Sequence, residues 1–96
     1  MKIKITDDQL YDAKEGVLIL NGEECEYLGT ERDEDSNGRA SLRYFKRPSD
    51  GKIFQVYLYY IRYGYEDYGF DVSMSDNEIT EVKRKETIQY KYVPVD

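Results

Sequence analysis

The chain has 96 residues, with 20 acids against 14 bases, 11 tyrosines, one cysteine, no histidine and no tryptophan. That length suits one domain, 1–96, and no run of 18 apolar residues is available for a membrane helix. The lone thiol and missing histidines exclude an internal disulfide, most zinc sites and every histidine-based nucleophile, and they point to a cytoplasmic, non-secreted protein.

Residues 1–6 carry two lysines with no apolar stretch behind them, so no signal peptide is expected. The spacing then predicts a helix over residues 7–15. Thr6 caps it, Gln9 completes a capping box, Asp7 and Asp8 suit the positive end of the dipole, and Gly16 stops it. Its apolar stripe is narrow, Leu10, Tyr11 and Ala13, which suits packing by one side at a sheet edge or over one open end.

Asn21 and Gly22 sit between apolar-bearing runs, which predicts a hairpin over residues 17–28, because both turn positions need positive φ. Residues 33–38 read as a polar loop. Asp33, Asp35 and Asn37 before Gly38 match the opening of a calcium loop, where alternate side chains supply hard oxygen ligands. The twelfth position is Tyr44 rather than a bidentate glutamate, and the flanks read as strands, so these residues form a weak calcium candidate and no other metal or cofactor is implied.

A second hairpin is expected over residues 40–63, turning at residues 48–51 through Pro48 and Gly51. Its second strand is apolar on both parities: Phe54, Val56, Leu58 and Tyr60 on one face, Ile53, Tyr57, Tyr59, Ile61 and Tyr63 on the other. Such a strand belongs in the middle of a sheet, covered on both sides or exposing a tyrosine strip. Tyr68, Phe70, Val72 and Met74 alternate with polar residues, and residues 75–77 suggest a third hairpin turn. Residues 78–86 fit helix or strand; Val82 shares parity with Ile88, Tyr90 and Tyr92, so one long strand ending at Pro94 is expected. The fold class is α+β, mostly β: one short N-terminal helix and a curved antiparallel meander of about six strands, with partial closure into a small barrel as an option.

Charge is segregated. Residues 1–38 and 64–82 are acidic, and residues 39–63 carry six bases against one acid. Cross-strand pairing offsets much of this, yet the acidic loop segments also suit a basic partner. Glu66 and Asp67, flanked by Tyr65 and Tyr68, place carboxylates beside aromatic area; Asp33 and Asp35 form a second acidic group. That combination attracts arginine and lysine by charge and by cation–π contact. An alternative binding face joins Tyr57, Tyr59 and Tyr63 to Arg43 and Arg62, in the manner of strands that stack single-stranded nucleic acid on rings. A net charge of −6 argues against nucleic acid. There is no glycine-rich phosphate loop, no G-x-S-x-G and no CxxC, and Cys25 stands between Glu24 and Glu26, so no enzymatic role is expected.

In size, acidity, strand content and want of a catalytic motif, the chain resembles the small acidic proteins with which phages and mobile elements block host nucleic-acid enzymes, anti-CRISPR proteins among them. The resemblance is one of type and carries no residues. It implies a non-enzymatic inhibitor that docks on a basic, nucleic-acid-binding surface of another protein. The alternatives are a nucleic-acid-binding OB-like barrel using the tyrosine strip, and an accessory or structural domain acting as an oligomer; a monomer or homodimer is expected.

Overall fold

A computed structural model describes residues 1–34, 38–64, 67–85 and 91–95. The helix α1, Asp7–Lys14, forms where the sequence places it. The Thr6 hydroxyl accepts the Gln9 N–H at 3.1 Å, and the Gln9 side-chain carbonyl accepts the Thr6 N–H at 2.8 Å. Gly16, at φ 86°, lets the chain leave the helix. Leu10 and Ala13 are fully buried. They pack over the middle of the sheet rather than at an edge, because the central strand offers the largest apolar surface to a narrow stripe.

The first strand, β1, Lys2–Lys4, precedes the helix. With one apolar residue between two lysines it shows no usable period, and it was not expected from the sequence. Asn21, at φ 51°, and Gly22, at φ 79°, make the expected tight turn between β2, Ile19–Leu20, and β3, Glu23–Glu24. This hairpin is a separate two-stranded sheet. Residues 23–28 do not continue as one strand. The chain breaks at Cys25, whose side chain enters the core and whose N–H donates to the Leu18 carbonyl at 2.8 Å.

The next three strands form a meander: β4, Glu26–Glu34, β5, Gly38–Lys46, and β6, Ile53–Arg62. The β5–β6 hairpin and its turn at residues 48–51 match expectation, with Gly51 at φ 71°. Asp33, Glu34 and Gly38 are not loop residues, since they pair with Ala40, Arg39 and Ile61. The other expected loop residues, Asp35, Ser36 and Asn37, lie outside the described residues.

Beyond β6 the meander gives way to shared edges. The free edge of β6 pairs with β7, Tyr68–Phe70, at one end and with β8, Glu78–Lys85, at the other. The third hairpin around residues 75–77 is therefore not formed, because both of its arms pair with β6 instead of with each other. Residues 78–92 are likewise not one strand. β8 is extended as expected, but β9, Lys91–Pro94, runs antiparallel beside it; residues 86–90, including Ile88 and Tyr90, lie outside the described residues. β1 completes the sheet on the outer edge of β8.

The result is one N-terminal helix on a mostly antiparallel sheet in the order β1-β8-β6-β5-β4, with β7 and β9 alongside. Among the described residues β4 pairs with β5 alone, so the sheet is open there and does not close into a barrel. The core lies between the sheet and the layer formed by α1 and the β2–β3 hairpin. Its largest members are Phe45, Phe54, Leu10, Leu18 and Leu58.

Candidate functional site

Residues paired across antiparallel strands point to the same face, so the register sorts the side chains. On the helix side, β6 carries Phe54, Val56, Leu58 and Tyr60, opposite Phe45, Arg43, Ser41 and Arg39 of β5. On the outer side, β6 carries Ile53, Gln55, Tyr57, Tyr59 and Ile61, opposite Lys46, Tyr44, Leu42, Ala40 and Gly38.

A β-bulge at Leu28 and Gly29 changes the parity of β4, with Gly29 at φ 149°. Tyr27 and Thr30 therefore both face the helix side, where their hydroxyls share a hydrogen bond. Arg32 follows on that side beside Ser41, while Glu31 and Asp33 turn to the outer side. The bulge thus separates the arginine of β4 from two of its acids.

The helix side of β4, β5, β6 and β7 gathers arginine and aromatic rings. The Arg39 guanidinium lies 4.3 Å from the Tyr68 ring centre and pairs with Glu34 at 2.9 Å. The Arg43 guanidinium lies 5.3 Å from the Tyr27 ring centre, and its Nε is buried without a hydrogen-bond partner among the described residues. Arg62 Nε donates to the Gly64 carbonyl at 3.1 Å. From the helix, Tyr11 meets Phe70 edge-on at 5.1 Å, and Lys14 stands 5.7 Å from the same ring. Tyr11 and Tyr27 are 46% and 42% exposed, so each presents ring area to solvent. On these four strands Glu34 is the one acid on this face among the described residues.

The alternative face expected from the sequence is accordingly divided. Tyr57 and Tyr59 stand on the outer side, whereas Arg43, opposite Val56, and Arg62, opposite Tyr68, belong to the helix side. Tyr63 lies past the end of β6, 71% exposed, with its ring against Gly69. Tyr59 lies across Gly38, where a Cβ would fall 2.7 Å from the ring. A tyrosine strip and a set of cations exist, but on opposite surfaces. Tyr27 was missed because ring–cation pairing depends on cross-strand register, which one strand's own sequence does not show.

The acidic candidates fall as follows. Asp35, Tyr65 and Glu66 lie outside the described residues. Asp67 is exposed, and its carbonyl accepts the Tyr63 N–H at 3.1 Å. Tyr68 is half-buried beneath Arg39, so its ring meets an arginine of its own chain. Asp33 is exposed on β4. Glu34, Arg39, Tyr60 and Phe70 form one row across the sheet, which brings Asp33 and Asp67 to the same end of it.

For the calcium candidate, Asp35 and Asn37 lie outside the described residues, and Asp33 sits on a strand. No group of three potential metal-ligating His, Cys, Asp or Glu side chains occurs among the described residues. The Cys25 thiol is pushed up from its usual value by burial first and by Glu23 second, against a smaller opposing effect of Arg47. It is a protonated core thiol. Beside it the Arg47 guanidinium donates to both oxygens of Asp50, at 3.1 and 2.7 Å, and this pair holds the Asp50 carboxyl down at about 2.

No protein-family model, curated protein or solved structure matches this chain.

Proposed function

We propose that this chain is a non-enzymatic binding protein that holds single-stranded nucleic acid on the helix side of its sheet. Arg32, Arg39 and Arg43 face the phosphates there, and Tyr27 and Tyr11 offer ring faces to bases. The observation that carries this reading is the pair of arginine–tyrosine stacks, Arg39 on Tyr68 and Arg43 on Tyr27, on one surface where β4 to β7 hold Glu34 as their described acid. Stacked guanidinium groups keep their outer N–H donors for phosphate while the ring fixes their plane. The protein acts in the cytoplasm, where the lone Cys25 stays reduced.

A net charge of −6 sets the affinity. Binding is expected to be weaker than micromolar at about 0.15 M salt and to strengthen as salt falls. The test is fluorescence anisotropy with a labelled oligothymidylate across a salt series. Neutralising three phosphates gives a log–log slope of about −2. Arg43→Ala and Arg39→Ala should each weaken binding and flatten that slope by about 0.7, while Tyr57→Ala on the outer face leaves both unchanged. Absence of binding at low salt, or loss of binding with Tyr57→Ala alone, overturns the reading.

A second reading rests on a different observation, the convergence of Asp33 and Asp67 on one end of the sheet. In it this end docks on a basic surface of another protein and inhibits by occupying that surface.

A further inference from the structure

A few hydrogen bonds fix where the backbone groups of the whole sheet point. In a strand paired on both edges, one residue turns its N–H and C=O to one neighbour and the next residue turns them to the other. On β6, Tyr59 donates its N–H to the Ser75 hydroxyl and accepts the Asp71 N–H, both on the edge away from β5. Leu58 and Tyr60 therefore bond to β5, at Ser41 and Arg39. The intervening residues of β5, Ala40 and Leu42, bond to β4, at Asp33 and Glu31. Thr30, Arg32 and Glu34 are left with their N–H and C=O groups directed to the far edge of β4, where no other strand stands among the described residues.

The same parity sorts the side chains of this edge. Glu31 and Asp33 stand exposed on the outer side. Their partners on β5 are Leu42 and Ala40, with Tyr44 and Gly38 on the diagonals, so β5 sets no cation beside either carboxylate. On the helix side the edge reads Thr30, Arg32 and Glu34, and Glu34 is already paired with Arg39. The bulge at Leu28 and Gly29 confines the regular edge to residues 30–34.

We infer that this edge takes an extended, basic segment of another protein as an added antiparallel strand. The free backbone groups supply the pairing, and charge complementarity selects the occupant. Residues opposite Glu31 and Asp33 fall in the non-hydrogen-bonded pairs, whose side chains stand closest. A cation at each of those positions meets a carboxylate that no cation of β5 neutralises, while the residue between them lies beside Arg32, which repels a further cation. The chemistry that fits is Lys or Arg at alternate positions with a neutral residue between. A second copy of β4 does not have it, since that strand carries four acids and one base. The inference goes beyond the nucleic-acid reading and uses the sheet edge instead of the helix side, so the two fail separately. Asp33 also belongs to the acidic end of the second reading, whereas the outward amides of Thr30, Arg32 and Glu34 belong to the edge alone.

The probe is an end-blocked peptide, Thr-Lys-Thr-Lys-Thr, titrated into the isotope-labelled full chain to about 1 mM and followed by NMR, because so small a contact is weak. The amide protons of Thr30, Arg32 and Glu34 should shift and exchange more slowly with solvent as peptide is added. Those of Glu31 and Asp33, bonded to β5, exchange slowly beforehand. The isomeric peptide Thr-Lys-Lys-Thr-Thr should bind about threefold more weakly, since one of its lysines must stand beside Arg32. Glu31→Lys with Asp33→Lys should weaken the alternating peptide about tenfold and take up Thr-Glu-Thr-Glu-Thr in its place. Arg32→Pro removes one outward N–H without touching the bonds to β5, and it also removes a positive charge, so weaker binding by this variant reports the backbone pairing and not the charge. Melting curves identify a variant that loses its fold, and the charge-reversed chain with the glutamate peptide still reads the site in that event. Absence of a shift at the three outward amides, equal binding of the two lysine peptides, or undiminished binding by folded Arg32→Pro overturns the inference.

Discussion

Asp50 shows how much one local pair can be read from chemistry. Residues 48–51 were expected to turn because proline presets one position and glycine accepts another, and they do. The sequence does not reveal that Asp50, once in the turn, accepts from Arg47 and from the Lys52 N–H. The Arg47 side-chain bond is the larger cause of its carboxyl lying at about 2 instead of 3.8. A carboxyl held low in the folded state stabilises the fold above its ordinary value, and that contribution disappears as pH falls through the folded value. The window is therefore between about pH 4 and pH 2. In chemical denaturation followed across that range, the native chain should lose stability more steeply than Asp50→Asn. Equal slopes would show that the Arg47 pair contributes nothing in solution.

At the scale of elements, the central strand shows why an alternation in sequence falls short of a topology. β6 has one edge shared by β7 and β8, and between their pairings four residues of β6, Val56 to Tyr59, lie opposite neither strand. Residues 71–76 fill that gap. Asp71 and Asp76 donate their N–H groups to the carbonyls of Tyr59 and Tyr57, and the Ser75 hydroxyl accepts the Tyr59 N–H at 2.9 Å while donating to the Asp71 carbonyl at 2.8 Å. Asp71 is itself held low, first by the Ser73 hydroxyl, which keeps the turn's acceptor charged. Ser75→Ala leaves a strand N–H without its partner in a nearly closed site, so a loss of about 1–3 kcal/mol is expected in urea or thermal melts. A change within 0.3 kcal/mol, roughly the scatter of independent surface substitutions, would mean that water replaces the hydroxyl. The capping box and the Asn21 and Gly22 turn were legible because each lies within a few residues of chain. The β7–β8 and β8–β9 arrangements were not, because choosing a strand's neighbour depends on which edge is vacant.

For the whole molecule, the register turns blocks of charge along the chain into faces and ends. Arginines gather on the helix side, lysines and acids border the outer side, and Asp33 and Asp67 share one end. Reversal at that end, Asp33→Lys with Asp67→Lys, should leave the melting curve within about 0.5 kcal/mol of native, as exposed charges usually do. It should also slow association with any basic protein partner and reduce the salt dependence of that rate. Unchanged kinetics with a partner that binds the native chain would remove the acidic end from consideration and leave the two sheet faces.

The sequence by itself determined the pieces that depend on neighbours within a few residues. These are the capped helix and its stop, the two tight turns, the alternating strands, the doubly apolar central strand and the segregation of charge. It also placed tyrosine and arginine in abundance on the same hairpin. Tertiary structure alone decided which of them meet. A side chain's face is set by its parity, and parity across a sheet is set by cross-strand register and by one inserted residue at Leu28 and Gly29. The β5–β6 register parts Tyr57 and Tyr59 from Arg43, and the inserted residue of β4 brings Arg32 to the helix side and turns Glu31 and Asp33 to the opposite surface. The physical reason is the period of two: an extra residue in one strand exchanges every later side chain between faces, and its effect becomes visible once the neighbouring strand is in place.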